Sequence, residues 1–221
     1  MPPRIVQVRQ GLLKKNDAIA AALRAEFAAA GTFVVNLVSG PGTGKTLLLE
    51  RTLSALRDRG HRPAALVGDL ATDNDAVRLA RSGAPVRQIN THGLCHLEAD
   101  MVGRHLGGWV LADHDYLFVE NVGNLVCTAS YDLGESLRLA LLSVTEGEDK
   151  PLKYPMLFNT ADAAIITKCD LATACEFDSA EAERNLRAVR PGLPILRLSA
   201  KTGDGLDEWL AFFESRRGSE G

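Results

Sequence analysis

The sequence predicts an α/β fold of three layers, a mostly parallel sheet with helices on both faces. Three observations carry that expectation. Short apolar runs alternate with helical patterns along nearly the whole chain, the order produced by strand–helix–strand crossovers that cover both faces of a sheet. A Gly-rich stretch, Ser39-Gly40-Pro41-Gly42-Thr43-Gly44-Lys45-Thr46, joins the first apolar run to a helix-like run. The 221 residues, 46% hydrophobic and 24% charged, suffice for one such core.

In chain order, Asn16 to Ala30 reads as a leading amphipathic helix, with Ile19, Leu23 and Phe27 spaced four apart. Residues 1–31 then form a helical segment packing on a domain of residues 32–215. Phe33 to Val38 reads as a buried first strand, and Leu47 to Arg51 opens an amphipathic helix. Further strands are expected at Ala64 to Val67, Val86 to Ile89, Tyr116 to Val119, Ser136 to Val144, Ala163 to Ile166 and Ile195 to Leu198. Helices are expected at Asn74 to Arg81, Cys95 to Arg104, Ser179 to Val189 and Leu206 to Ser215. Residues 216–221 read as a flexible tail.

Composition narrows the partners. A net charge of −3 leaves no polybasic footprint for nucleic acid. No apolar run approaches the length of about 20 residues that a membrane helix needs, and the start lacks the apolar segment of a signal peptide. The expectation is a soluble cytoplasmic chain whose four cysteines stay reduced and available to metal.

The Gly-rich stretch has the chemistry of a phosphate cradle. Backbone N–H groups of Gly40, Pro41's neighbours, Gly42, Thr43 and Gly44 and the following helix N-terminus attract a β-phosphate, Lys45 adds a point charge, and the Thr46 hydroxyl reaches magnesium. Ser39 stands where the first glycine of this pattern is usually found. The motif implies a nucleoside triphosphate.

Later strand ends suggest which one. After Ala163 to Ile166 comes Thr167-Lys168-Cys169-Asp170. A carboxylate there accepts guanine N1–H and the exocyclic amine together, and the lysine stem covers the base plane; adenine lacks that paired donor edge. Ser199-Ala200-Lys201 follows the next strand, where a backbone N–H can meet guanine O6. The pair resembles the guanine-specificity loops of P-loop GTPases, with Thr167 replacing the usual Asn. For magnesium, Asp69 closes one strand and Glu120 another, with Asp75 as a second choice. Asp73 competes as a helix N-cap. Glu120-Asn121-Val122-Gly123 has the form of a switch in which the Gly123 N–H senses a γ-phosphate. No Gln stands ready to position water, so slow turnover is expected.

Cys95-His96, expected at a helix start, and Cys127, just beyond the switch, are a second possible site. Thiolate and imidazole favour zinc or nickel over magnesium, although a lone Cys-His pair is more often packing than ligation. Cys169 and Cys175, the latter expected to open a helical region, read as structural. His92 and Asp100 are auxiliary candidates.

Taken together, Gly68 to Ala76, Gln88 to Thr91, Cys95-His96-Leu97 and Glu120 to Cys127 resemble the HypB family, the GTPases of nickel insertion into [NiFe]-hydrogenase. The resemblance runs from about Gln10 to Phe213. It is more distant to the urease nickel chaperone GTPase, whose motif is Cys-Pro-His. The HypB resemblance implies a P-loop GTPase of the SIMIBI class that binds GTP, GDP and magnesium. It further implies a homodimer favoured by GTP, with nickel or zinc on Cys95, His96 and Cys127 at its interface, and partners in a nickel metallochaperone and a hydrogenase large subunit. Residues 1–31 contain neither His nor Cys, so no nickel storage is expected, and Thr91-His92-Gly93-Leu94 differs from the Gly-Lys-Gly that often precedes Cys95 in the family. The alternatives are a urease-type nickel chaperone, a small-molecule kinase on the same scaffold, and a nucleotide-gated scaffold holding structural zinc.

Overall fold

The computed structural model describes the backbone of residues 4–69 and 74–218 and the side chains of 11–68 and 75–218. Among the described residues, seven strands form one sheet: β1 (Phe33–Ser39), β2 (Pro63–Asp69), β3 (Val86–Asn90), β4 (Tyr116–Glu120), β5 (Leu137–Ser143), β6 (Ala163–Thr167) and β7 (Ile195–Arg197). Their order is β3-β2-β4-β1-β5-β6-β7, and every neighbouring pair is parallel. The helices are α1 (Arg4–Ala30), α2 (Lys45–Asp58), α3 (Asn74–Ala80), α4 (Ala99–His105), α5 (Lys150–Lys153), α6 (Pro155–Asn159), α7 (Ser179–Val189) and α8 (Leu206–Gly218). All seven expected strands are present, and the three-layer α/β class is the one observed.

β1 is buried along its whole length, and its residues alternate between two faces, as the period of a strand requires. Phe33, Val35 and Leu37 pack with Leu48 and Leu53 of α2 and with Trp209 and Phe213 of α8. Val34 packs on the other face with Leu23 and Phe27 of α1 and Val102 of α4. Val38, further along that face, joins Leu157, Phe158 and Leu186 beneath α6 and α7. Asn36 falls between Val34 and Val38, at the seam of two apolar clusters, and is fully buried.

Some boundaries differ from expectation. α1 starts at Arg4 rather than Asn16, since no proline interrupts Arg4 to Asn16 and a single glycine, Gly11, is tolerated within a helix. α8 continues through Gly218; its last turn is held by Arg217, which donates to Asp115 Oδ1 at 3.2 Å and lies over the Tyr116 ring. α5 and α6, not foreseen, each carry proline in the first turn, where its missing N–H costs nothing. Cys175 lies in a turn and opens no helix; α7 starts at Ser179 because Asp178 accepts the N–H groups of Ala180 and Glu181.

Candidate functional site

The carboxyl ends of β1, β4, β5 and β6 converge on the loop of residues 40–44. Gly42 and Gly44 take positive φ of 72° and 95°, a backbone that residues with a β-carbon adopt at a cost. Gly40 lies close under a side chain: a β-carbon there would lie 2.5 Å from Glu146 Oε1, so the carboxylate would have to shift. Lys45 is buried, and its ammonium donates to Ser39 Oγ at 2.8 Å and to the Gly40 carbonyl at 3.5 Å. Burial lowers its pKa, against the raising influence of Glu120, Asp75 and Glu146. Ser39, which also donates to the Gly40 carbonyl, thus gives the lysine a resting partner that glycine would not.

Three side chains hold this loop from outside. Thr167 Oγ1 donates to the Thr43 carbonyl at 2.8 Å, and Lys168 Nζ to the Gly42 carbonyl at 2.6 Å. Glu146 Oε2 accepts from the Ser143 N–H at 2.9 Å and from Thr43 Oγ1 at 3.3 Å. The Thr167 hydroxyl makes the tie to the loop, though it lacks the second polar group of an Asn side chain. Glu146 was not singled out from sequence; Ser143-x-x-Glu146 at a strand end is a capping box, and that pattern marked it.

Beside this loop lies a cavity of about 170 Å³ lined by Thr43, Gly44, Leu47, Lys168, Asp170 and Lys201, among others that include Ser199 and Ala200. Ser199 Oγ donates to Asp170 Oδ1 at 2.6 Å, which fixes the carboxylate at the cavity wall. Lys168 adopts φ 58°, and its side chain runs past Gly44 toward the loop. The two base-reading segments expected from sequence are therefore brought together against the phosphate loop.

On the opposite side of the loop, Thr46 Oγ1 donates to Glu120 Oε1 at 2.8 Å. Adjacent oxygens on an octahedron of radius about 2.1 Å lie roughly 3.0 Å apart, so this hydroxyl and carboxylate have the spacing of neighbouring magnesium ligands. Asp75 stands near enough to act on the Lys45 charge. Asp69 closes β2, but its side chain, with Thr72 and Asp73, lies outside the described residues. Gly123 approaches the phosphate loop closely: a β-carbon there would lie 2.9 Å from Pro41 Cα.

Beyond the switch, one ligand atom each from Cys95, His96 and Cys127 lies within 4.8 Å of the others, the arrangement of a metal site. Cys95 and His96 do not start a helix, as the sequence suggested, because α4 begins only at Ala99. The Leu97 N–H is taken by Asn121 Oδ1 at 3.2 Å and the Ala99 N–H by Asn16 Oδ1 at 2.9 Å, which holds the preceding segment out of the helix. Cys127 opens a short 3-10 turn, Cys127–Ser130, whose start is set by Asn124 Oδ1 accepting the N–H groups of Val126 and Cys127. Burial lowers the His96 pKa despite Glu98 nearby, which favours the neutral, metal-binding imidazole. The Tyr131 ring stacks on His96 with centroids 3.9 Å apart. His92 and Asp100 stand outside the three-residue cluster: the His92 N–H is taken by Asn90 Oδ1, and Asp100 pairs with Arg104.

A family profile described as CobW/HypB/UreG, nucleotide-binding domain, matches residues 33–197. The hydrogenase maturation factor HypB of Azotobacter chroococcum mcd 1 is 49% identical over 217 residues, which cover 98% of this chain and 70% of that protein. The crystal structure of HypB from Helicobacter pylori in complex with nickel matches with a TM-score of 0.87 at 38% identity, over 93% of this chain and 96% of that one. HypB from Archaeoglobus fulgidus matches with a TM-score of 0.85 at 35% identity, over 92% and 99%.

Proposed function

The chain belongs to the HypB hydrogenase maturation factors of the CobW/HypB/UreG family, and from that premise we propose a GTP-hydrolysing nickel metallochaperone whose Cys95–His96–Cys127 site answers to nucleotide. The observation that carries this reading is the segment from Glu120 to Cys127. Its first residue is bonded to Thr46 of the phosphate loop, and its last lies in the metal cluster.

The phosphate loop holds the β- and γ-phosphates through its N–H groups, and Lys45 turns from Ser39 toward the incoming charge. Thr46, Asp69 and Glu120 would hold magnesium, with Asp75 as a second choice for the ion or its waters. Bound there, magnesium offsets charge on the phosphate oxygens. Gly123, pressed on Pro41, meets the γ-phosphate with its N–H, and the segment behind it carries the difference between GTP and GDP to Cys127. Thr167, Lys168 and Asp170 with Ser199, Ala200 and Lys201 select guanine. The segment from Glu120 to Cys127 contains no glutamine to orient water, so intrinsic turnover would be slow.

Cys95, His96 and Cys127 supply three ligands for nickel or zinc. Leu94 and Val126, each next to a ligand cysteine, are 41% and 60% exposed; an apolar rim of this kind suits a second copy of the chain, in a homodimer favoured by GTP. Delivery would proceed with a partner nickel metallochaperone to a hydrogenase large subunit, in the cytoplasm.

The test is nickel and zinc titration of metal-free protein by calorimetry, with mass measured in solution, in GDP and in a non-hydrolysable GTP analogue. Near one ion per subunit or per dimer, an affinity that changes with nucleotide, and loss in Cys95→Ala and Cys127→Ala are the expected results. Nucleotide binding without metal binding would overturn the metallochaperone reading. Phosphate release from GTP, absent in Lys45→Ala and slower from ATP, checks the enzyme.

A further inference from the structure

The polar residues at the seam of the two apolar clusters form a chain with both halves of the Cys/His cluster at its ends. Asn121 is 1% exposed. Its Oδ1 accepts the Val122 N–H at 3.0 Å and the Leu97 N–H at 3.2 Å, and its Nδ2 donates to Asn36 Oδ1 at 3.4 Å. Asn36 Nδ2 donates to Glu135 Oε1 at 3.0 Å, and Arg138 Nε donates to that same oxygen at 2.7 Å. The Arg138 guanidinium then donates to the carbonyls of Ala129, at 3.3 Å, and Tyr131, at 2.7 Å.

One end of this chain therefore grips Leu97, the residue after Cys95-His96. The other grips the Cys127–Ser130 turn and Tyr131, and the Tyr131 ring returns to stack on His96. The loop of contacts is closed. A buried carboxamide has few alternatives here, since leaving its partners unpaired costs the desolvation of each group. Asn121 also adjoins Glu120, so the residue that fixes the Cys95-His96 backbone belongs to the switch itself.

We propose that Asn121 is a positioning residue of the metal site. It sets the distance between Cys95-His96 and Cys127 and transmits the state of Glu120 and Gly123 to it, in part through the Asn36–Glu135–Arg138 chain. The second half of this inference rests on the nucleotide-gated reading above; the first half does not. Asn16 supplies an internal comparison. Its side chain also bridges the two halves, accepting the Ala99 N–H and donating to the Asp132 carbonyl at 2.8 Å, but it lies on α1, away from the switch.

The experiment measures nickel affinity by calorimetry for wild type, Asn121→Ala and Asn16→Ala, each without nucleotide, with GDP and with a non-hydrolysable GTP analogue. GDP affinity and thermal denaturation report whether each variant folds. Removing partners that orient metal ligands typically lowers affinity by about 10- to 100-fold, and both variants should lose nickel affinity on that order. Only Asn121→Ala should bring the ratio of affinities in the two nucleotides to one, with GDP affinity retained; Asn16→Ala should keep the wild-type ratio. If Asn121→Ala fails to bind GDP, Asn121→Ser, whose hydroxyl can still receive one N–H, takes its place with the same expectation at smaller size. Unchanged nickel affinity in the Asn121 variant overturns the positioning role. A ratio retained in that variant, where wild type shows one, overturns the transmission. A wild-type ratio of one removes nucleotide gating itself, and the nickel affinity without nucleotide then decides the positioning role alone.

Discussion

Replacing Asp170 by Asn tests the base assignment at one atom. The carboxylate is fixed by the Ser199 hydroxyl on Oδ1, in a cavity whose walls also include the side chains of Leu47, Leu48, Leu171 and Leu198. On the proposed assignment, a guanine seated there would give its N1–H and exocyclic amine to the carboxylate. The variant keeps an acceptor for Ser199 but turns an amide N–H₂ toward one of the guanine donors. A charge-assisted hydrogen bond contributes about 1.5–3 kcal/mol, and a donor left facing a donor costs about 1–3 kcal/mol more. The loss should be about 2.5–6 kcal/mol, between roughly 60-fold and roughly 20,000-fold in affinity at about 1.4 kcal/mol per decade. Equilibrium titration with a fluorescent GDP measures it. Xanthosine diphosphate, which presents a carbonyl where guanine carries its amine, should bind the variant better than GDP does. GDP affinity within threefold of wild type, or no preference for the xanthine base, would refute the geometry.

Three further outcomes follow from other contacts. Thr167→Val removes the hydroxyl that ties Thr43 to β6 and should weaken GDP by about 1 kcal/mol, roughly fivefold; a change under twofold in the same titration would count against the tie. Arg138→Met leaves Glu135 charged in a site where the two side chains are 10% and 5% exposed. The loss should be about 3–5 kcal/mol, a fall of roughly 6–20 °C in Tm for a domain of this size, and adding Glu135→Leu should recover only part of it, because Asn36 Nδ2 and the Leu133 N–H then lose their acceptor. Asp115 gives a pH dependence: burial raises its pKa, but hydrogen bonds from Arg62 and the charge of Arg217 overcome that and hold it below the ordinary carboxylate value. A depressed folded pKa means stability that is present above about pH 4 and lost as pH falls through the lower folded value. Asp115→Asn should therefore lower Tm at neutral pH and flatten the decline below pH 4; an unchanged acid limb in thermal melts would remove Asp115 from the account.

Residues whose role is set by their neighbours in sequence were legible, and those set by distant side chains were not. The phosphate loop is local: its glycines, lysine and threonine lie on consecutive residues between β1 and α2, and strand and helix declare themselves by period. The start of α4 is not. Whether residues 95–98 join a helix depends on where their N–H groups go, and those of Leu97 and Ala99 go to Asn121 and Asn16, 24 and 83 residues away. Glu146 falls between these cases, since Ser143-x-x-Glu146 is a local signal even though its carboxylate ends against Gly40.

Asn36 shows where that boundary lies. A polar side chain inside Phe33-Val34-Val35-Asn36-Leu37-Val38 cannot be buried without partners, so the sequence marks the position as one that must be bonded. Which partners it takes is fixed only by register. β1 pairs with β4 so that Asn36 lies beside Val119 and Leu37 beside Glu120, and the Asn121 N–H continues the ladder onto the Leu37 carbonyl at 3.1 Å. Asn121, two residues beyond Val119, returns to the face of Asn36. The same alternation that buries Val34 and Val38 thus directs one carboxamide at the other, beneath the strand end that carries Glu120. A shift of one residue in the β1–β4 register would send Asn121 to the α2 face. The contact between switch and metal loops is for that reason a property of the sheet, written in no single motif.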